Sequence, residues 1–305
     1  MASLDESLQT ETIESIQDEL LTWYVDNHRT LPWRADATPY HILVSEVMSQ
    51  QTQLDRIIEP FERFIDRWPT FESLAEASQA DVLGFWSTHA LGYNNRAKYL
   101  HETATNVVAD YGGSLPEEPA ELQTLPGIGP YTAHAVASFA FDRNVGVVDT
   151  NVKRIVYRVL ERSAGTNSIP YQSIANALVP PGRSAQWNNA MMELGALVCG
   201  KSPECDTSPC PIRQHCSAYQ TGDFRAPDVP EQPSFDGSRR QYRGKIVRLI
   251  TETGPLTEQE LRKTISPTPN STDSDWLIGI IDDLVDEGLL QWTDAGGEDL
   301  LQLHE

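Results

Sequence analysis

The chain has 305 residues, of which 39% are hydrophobic, a composition typical of a globular protein with room for two or three domains. It contains no run of about 18 apolar residues, which excludes a membrane-spanning helix. The polar, acidic segment Met1–Gln9 does not resemble a secretory signal. We therefore predict a cytoplasmic protein with no membrane partner.

The charge of the chain bears on its partners. The formal net charge of −21 argues against nucleic acid, because phosphate binding needs clustered lysine and arginine. Halophilic proteins also carry a large acidic excess, and the Debye length shrinks to about 3 Å at 1 M salt. A halophilic source would screen the repulsion, so the charge does not exclude DNA.

Helical periodicity dominates the first two-thirds of the chain, with no convincing alternating strand. An amphipathic helix over 10–30 is broken by Leu31–Arg34, and helical spacing resumes from 39 to 111. Further helices are predicted over 120–125 and 131–141, from 151 onwards, and over 187–198. This pattern predicts a mainly α fold.

The last third of the chain has a different pattern. Residues 221–238 are rich in proline, aspartate and glycine and indicate a linker. Beyond it we predict three helices and two short strands: Arg239–Thr251, Thr257–Thr264, Asp275–Glu287, Leu289–Thr293 and Asp299–Leu303. Three helices and a hairpin indicate a winged-helix-like α+β domain over 239–305.

One carboxylate, Glu46, lies in the otherwise neutral segment Ser45–Gln53. A helix beginning near Pro39 would bury it among apolar side chains, where desolvation raises the pKa of a carboxyl and suits it to general-acid chemistry. The neighbouring glutamine amides suit the edges of unpaired bases. The alternative is a surface helix with solvated Glu and Gln side chains.

The segment Leu125–Gly129 has two glycines, Gly127 and Gly129, between predicted helices. Glycine permits a sharp turn and close approach of a partner, and the following helix presents free N–H groups that can hold a phosphate. The alternative is an ordinary turn between helices. In its helical context the segment resembles the hairpin of the helix-hairpin-helix DNA glycosylase superfamily.

Asp149 follows an apolar run and precedes a helix, so it occupies a predicted N-cap position. A capping role alone would explain it. Its place after the hairpin resembles the Gly/Pro–Asp signature of the same superfamily, whose aspartate is catalytic. A carboxylate that accepts hydrogen bonds from helix-terminal N–H groups stays ionised, which suits stabilisation of a cationic sugar.

All four cysteines of the chain lie within 199–216, with the spacing C-x5-C-x4-C-x5-C. Such a set indicates a metal site in an intracellular protein, with two disulfides as the alternative. Zinc and a [4Fe–4S] cluster both use four cysteines, and the spacing does not distinguish them. The candidate ligands are Cys199, Cys205, Cys210 and Cys216.

Six segments in order, spread over about Ile13 to Ala218, together resemble the A/G-specific adenine DNA glycosylases of the MutY type. The segments are 31–34, 45–53, 91–97, 125–133, 149–154 and 190–196. The resemblance implies two helical subdomains within residues 1–220 and a [4Fe–4S] cluster in the 199–216 loop. Two gaps of the cysteine spacing differ from the usual family pattern.

The resemblance also implies roles for individual residues. Glu46 would protonate adenine and Asp149 would support the sugar cation, while Tyr131 stands where bifunctional relatives carry a Schiff-base lysine. Excision without efficient strand cleavage is therefore expected. The remaining matches are substrate-binding residues Trp33, Arg34, Gln51, Tyr93, Asn151 and Glu193, and DNA-backbone contacts at Gly127 and Gly129.

Simpler explanations stay open for several matches. Trp33 could be core, Glu193 a helix-surface charge, and Tyr93 a turn aromatic rather than an intercalating wedge. Four basic residues are candidate phosphate contacts or solvated helix charges: Arg96, Lys98, Lys153 and Arg154. The chain also departs from the family at Ser49 and Asn94.

The predicted function is removal of adenine mispaired with guanine or 8-oxoguanine in double-stranded DNA, by a monomeric enzyme. The residues after 217 lack the pattern of the family's Nudix-like domain, so dependence on 8-oxoguanine stays open. The alternatives are a mismatch-specific thymine or uracil glycosylase of the same superfamily and a non-catalytic iron–sulfur DNA-binding regulator.

Overall fold

A computed structural model of the chain describes residues 10–160, 169–227, 233–265 and 276–305. Within these ranges the protein is mainly helical, and its two strands form one C-terminal antiparallel pair, which confirms the predicted fold class. None of the described helices is long and apolar enough to cross a membrane. The predictions for Met1–Gln9 and for Asp275 lie outside the described residues, as does part of the predicted linker.

The chain divides into two compact units. Unit 1 comprises Met1–Leu43, Pro116–Thr124 and Ile128–Pro230; unit 2 comprises Val44–Leu115, Leu125–Gly127 and Glu231–Glu305. The helix α3 (Pro39–Ser49) and the segment Leu125–Gly129 each contribute residues to both units. The linker and domain boundaries expected at 220 and 239 stay a prediction.

Unit 1 is built from eight described helices: α1 (Thr10–Asn27), α2 (Pro32–Ala35), α8 (Pro119–Leu122), α9 (Pro130–Phe141), α10 (Thr150–Val159), α11 (Tyr171–Leu178), α12 (Ser184–Leu197) and α13 (Ser217–Thr221). Helix α1 buries Ile16, Leu20 and Leu21, the stripe that its helical spacing predicts. The same core includes Trp187 and Met191 of α12, because α12 packs against both α1 and α10.

Unit 2 contains the helices α4 (Ile58–Arg67), α5 (Phe71–Ala75), α6 (Gln79–Thr88), α7 (Asn95–Tyr111), α14 (Arg239–Thr253), α15 (Glu258–Thr264) and α16 (Trp276–Asp286), and the strands β1 (Leu290–Asp294) and β2 (Asp299–Leu303). The strands pair antiparallel, with Leu290 opposite Leu303. The predicted order of three helices and a hairpin is confirmed. Helix α14 packs on α6, with Thr251 next to Gly84.

Candidate active site and cysteine loop

Asp149 is the N-cap of α10, as its position in the sequence predicts. One carboxylate oxygen accepts a 2.7 Å hydrogen bond from the Val152 N–H, and the other accepts a 2.8 Å bond from Asn151 Nδ2. Burial is the largest influence on its pKa and raises it, while the hydrogen bonds and the Arg154 charge oppose the rise. The capping bonds predicted from the sequence are present and favour the ionised form against the effect of burial, and the ionised state of this carboxyl stays a prediction.

A hydrogen-bond network runs from Asp149 to the cysteine loop. Arg154 donates to Asn151 Oδ1 at 2.7 Å, to the Gly195 carbonyl at 2.8 Å and to the Cys199 carbonyl at 2.6 Å. A side chain at Gly195 would place its Cβ 2.5 Å from Asn151 Cβ, so glycine is required for this approach. These bonds show that Arg154 links α10 to the cysteine loop and is not a fully solvated charge, while a phosphate contact stays a prediction.

Glu193 lies fully buried within α12 and forms ion pairs with two arginines of unit 1. Arg29 donates from Nε at 2.8 Å and from Nη2 at 3.2 Å, and Arg34 donates from Nη1 at 2.8 Å. The surface-charge explanation for Glu193 is wrong, since a charge with no exposure needs such partners. Arg34 and Glu193, two of the predicted substrate-binding residues, are therefore in direct contact. Arg29, which the sequence did not indicate, also contacts Glu193. Trp33, on α2, is buried.

Glu46 is 8% exposed in α3, among buried apolar residues such as Val44 and Val47. This burial excludes the alternative of a solvated surface helix. The Ser49 hydroxyl donates to the Glu46 carbonyl at 3.0 Å within the last turn. The sequence therefore predicted the environment of this carboxyl correctly.

The end of α3 is held by Arg96, a residue whose role the sequence did not reveal. Its guanidinium is buried and donates to the carbonyls of Val47, Met48 and Gln50 at 2.6 to 3.0 Å, and to those of Leu91 and Gly92 at 2.7 and 3.1 Å. Burial lowers the pKa of Arg96 to about 10. Arg96 therefore stabilises the C-terminal end of α3 and the segment at Leu91 and Gly92. The prediction of a phosphate contact or a solvated charge was wrong, because the guanidinium is buried.

The two hairpin glycines differ in their surroundings. Gly127 has a φ of +68°, and an added Cβ would lie 2.6 Å from Tyr99 Cβ, so both backbone and packing require glycine there. Gly129 caps α9 with a φ of −82° and has no described atom within 4 Å of an added Cβ. Tyr131 is half-buried in the first turn of α9.

Gln51 and Tyr93 line one cavity of about 960 Å³ in unit 2. Both have a left-handed backbone, with φ of 55° and 48°, a conformation that is uncommon for residues other than glycine and concentrates at functional sites. Gly127 and Arg240 line the same cavity. The structure therefore brings together two of the predicted substrate-binding residues and one of the hairpin glycines.

The remaining basic candidates differ in environment. Lys98 donates to the Glu287 carbonyl at 2.5 Å, which places its ammonium inside unit 2 and contradicts a solvated charge. Lys153 is exposed on α10, with its ammonium 6.0 Å from the centre of the Tyr171 ring, and either explanation still fits it.

The four cysteines line one small cavity of unit 1, and Cys205, Cys210 and Cys216 are buried. None of the four is in a disulfide, so the disulfide alternative is not realised. Burial, together with the neighbouring thiols, raises the pKa of Cys205 and of Cys216, and raises that of Cys210 to about 12. Among the described residues, no three His, Cys, Asp or Glu side chains are grouped as ligands of a single metal ion.

Arg158 is buried at 1% exposure beside this cavity and was not singled out by sequence. It donates to Cys199 Sγ at 3.3 Å, to the Gly200 carbonyl at 2.7 Å and to the Phe224 carbonyl at 2.8 Å. The Cys216 thiol donates to the Arg158 carbonyl at 3.3 Å. The only sequence signal was its spacing of three from Ile155, which puts it on the buried face of α10.

The comparisons with known proteins agree with this fold. Residues 44–179 match the HhH-GPD superfamily of base excision DNA repair proteins. The adenine DNA glycosylase of Mycolicibacterium smegmatis is 39% identical over 91% of this chain and 93% of the relative. The corresponding human protein is 40% identical over 68% of this chain and 40% of the relative.

Two solved structures are also similar. A thermostable thymine-DNA glycosylase has a TM-score of 0.62 at 27% identity and covers 69% of this chain and 98% of its own. A non-covalent endonuclease III–DNA complex has a TM-score of 0.58 at 23% identity over 72% of this chain and 100% of its own, which shows the fold alone. Fold and site thus define a helix-hairpin-helix base excision repair protein. Within that class, the chain belongs to the adenine DNA glycosylase family.

Proposed function

We propose that this protein is a monofunctional DNA glycosylase that removes adenine mispaired with guanine or 8-oxoguanine from double-stranded DNA. The observation that carries the proposal is the burial of Glu46, at 8% exposure, in the helix where the family places its general acid. A buried carboxyl is suited to retain a proton for transfer to a purine. Family membership supports adenine as the base.

The reaction assigns one task to each carboxyl. Extruding a base from a duplex costs a few kcal/mol of free energy, and mispairing of the adenine lowers that free energy. Glu46 donates its proton to the purine ring as the N-glycosidic bond breaks, so adenine leaves as a neutral base. The ionised Asp149 stabilises the oxocarbenium-like sugar, and water adds to give an abasic site.

The other site residues orient the substrate in this proposal. Trp33, Arg34 and Glu193 surround the extruded adenine, and Arg29 fixes Glu193. Asn151 orients Asp149, through the 2.8 Å bond between them. Tyr131, lacking an amine, cannot form a Schiff base and serves by hydrogen bonding. Gly127 and Gly129 let the DNA backbone approach the hairpin. The enzyme acts as a monomer in the cytoplasm.

We infer that the cysteines hold a [4Fe–4S] cluster. All four line one cavity, and four cysteines suit either zinc or a cluster. The resemblance to the endonuclease III-like glycosylases favours the cluster. The guanidinium of Arg158, 3.3 Å from Cys199 Sγ, would stabilise a thiolate ligand. When bound, the cluster supplies a rigid loop rather than a step in base excision. Iron and sulfide analysis of the purified protein tests this assignment.

The decisive experiment uses duplexes with A·G, A·8-oxoguanine, T·G and U·G pairs, incubated in high salt and then treated with alkali. We expect alkali-labile sites only at the adenine of the first two. Glu46→Gln should lower the rate about 100-fold or more, and the exposed Glu62→Gln should not change it. Release of thymine or uracil alone would favour the mismatch-specific alternative.

Two further outcomes complete the test. Binding to the mispaired duplexes without release of any base would favour the non-catalytic regulator. Strand cleavage before alkali, with an adduct trapped by borohydride, would contradict the monofunctional chemistry assigned to Tyr131.

A further inference from the structure

The C-terminal helix α14 forms part of the same cavity as Gln51 and Tyr93. Arg240 and Arg243 of α14 and the exposed Phe235 before it face the loops around Gln51 and Tyr93 within unit 2. The resemblance assigns no role to any of these three residues. A segment beyond residues 44–179, which match the superfamily, therefore contributes to the surface expected to receive the DNA.

The charge of this cavity is opposite to that of the whole chain. The protein carries a net charge of −21. Among the described residues, the cavity lining nevertheless includes four arginines and one carboxylate, Glu287. That carboxylate accepts hydrogen bonds from Arg243 at 2.5 Å and from Asn95 at 2.6 Å. A basic cavity on an acidic protein suits a polyanion.

Arg240 lines this cavity, and two aromatic rings lie next to its guanidinium group. Its Nη1 donates to the Tyr93 hydroxyl at 2.6 Å, and its guanidinium carbon lies 5.3 Å from the centre of the Tyr93 ring and 5.3 Å from that of Phe235. A guanidinium has five N–H donors in a rigid fork. The rings of Tyr93 and Phe235 therefore orient the guanidinium of Arg240, whose N–H groups can bind the edge of a base. This group lies beside Tyr93, a candidate intercalating residue.

We propose that Arg240 is a specificity-determining residue that reads the guanine left opposite the excised adenine. The fork of arginine matches the O6 and N7 acceptors of guanine, and no pyrimidine offers that pair. Tyr93 positions the guanidinium of Arg240. Arg243 forms an ion pair with Glu287 and stabilises the N-terminal end of α14. This role rests on the proposed adenine excision, because guanine is the base that such a site leaves unpaired.

The test measures binding, so it needs no base release. Anisotropy titrations of the full-length protein would use duplexes with a tetrahydrofuran abasic analogue opposite guanine, cytosine or thymine. We expect the wild type to prefer guanine, and Arg240→Ala to reduce that preference about tenfold. Arg240→Lys should keep the charge but also lose the preference, because an ammonium has no fork.

A control variant comes from the same helix. Arg248→Ala removes one positive charge from an exposed side chain that pairs with Glu252, and it should leave the preference for guanine unchanged. Tyr93→Phe removes the hydroxyl that orients Arg240 and should give an intermediate loss. Circular dichroism melts of each variant would show that the fold is retained.

Two results would overturn the proposal. Equal weakening on all three duplexes, with the salt slope smaller by about one, would make Arg240 a phosphate contact. No preference for guanine in the wild type, or an unchanged preference in Arg240→Ala, would remove the reading role. A wild type that releases no adenine but shows a guanine preference that depends on Arg240 would refute the proposed function and retain this assignment.

Discussion

At the scale of single residues, the two proposed catalytic carboxyls are held by different means. Glu46 is surrounded mainly by apolar neighbours in a helix, whereas Asp149 accepts hydrogen bonds from Val152 and Asn151 at a helix start. Environments of these kinds separate an acid from an ionised stabiliser. The division of labour between the two carboxyls follows from that contrast.

Asn151→Ala tests the support of Asp149. The Asn151 amide lowers the pKa of Asp149 against the effect of burial, so its removal raises that pKa. Asp149 must be ionised to stabilise the sugar cation, and a higher pKa leaves less of it ionised at acid pH. The acid limb of the kcat/KM profile should therefore move to higher pH.

The matched control for this prediction is Asn189→Ala. The Asn189 amide donates to the Ala185 carbonyl of its own helix at 2.9 Å, so its loss should leave the profile in place. An acid limb that stays put in Asn151→Ala, or moves to lower pH, would contradict the role of Asn151.

Sequence reasoning succeeded for residues whose role depends on local position. Asp149 precedes a helix and Glu46 lies in an apolar one, and both environments are as predicted. It failed for Arg96 and Arg158, because a buried arginine is rare and most of the carbonyls that each contacts are far away in the sequence. Arg29 was missed for a similar reason, since 164 residues separate it from Glu193.

At the scale of elements, the limits of several C-terminal elements were predicted well, whereas the separate helices within 39–111 and the assembly of the elements were not. Strand β2 spans Asp299–Leu303 as predicted, and α14 extends two residues beyond its predicted end. The sequence did not indicate that α14 would pack on α6 or place Arg240 beside Tyr93. Local periodicity fixes an element, whereas such contacts depend on side chains far apart in the chain.

The hairpin offers a prediction with its own internal control. Gly127→Ala places a Cβ against Tyr99 at a positive φ and should lower the free energy of unfolding by about 1 to 3 kcal/mol. Gly129→Ala meets no described atom within 4 Å and should change it by about 0.5 kcal/mol or less. Urea unfolding monitored by circular dichroism measures both.

The same variants separate stability from DNA contact. If the backbone at Gly129 lies against a phosphate, Gly129→Ala weakens duplex binding although its stability is unchanged. Wild-type affinity in Gly129→Ala would show that the hairpin makes no close backbone contact there. Anisotropy titration with one mispaired duplex is sufficient, and the exposed Gly296→Asn, in the turn between β1 and β2, serves as a control.

At the scale of the whole molecule, salt has opposite effects on DNA binding through the acidic surface and through the basic cavity. The protein has a net charge of −21, so its acidic side chains repel one another and also repel DNA. Salt screens both repulsions. The cavity attracts phosphate at close range, and salt weakens that attraction as well. Salt therefore acts on stability through the surface, and on DNA binding through both the surface and the cavity.

The final prediction is that salt stabilises the fold. Raising KCl from about 0.1 M to 1 M shortens the Debye length from about 10 Å to 3 Å, so repulsion between surface carboxylates falls. The melting temperature should rise by several degrees, which corresponds to a few kcal/mol for a chain of this size. Differential scanning calorimetry measures it, and sucrose of equal osmolality controls for solute exclusion.

A charge-reduced variant makes this prediction specific. Converting the exposed Glu62, Asp66 and Asp110 to amides lowers the net negative charge by three without touching the candidate site. Its melting temperature should rise less with KCl than that of the wild type, because less repulsion is left to screen. Equal salt responses in both proteins, or a wild-type melting temperature that falls with KCl, would mean that surface repulsion does not limit this fold.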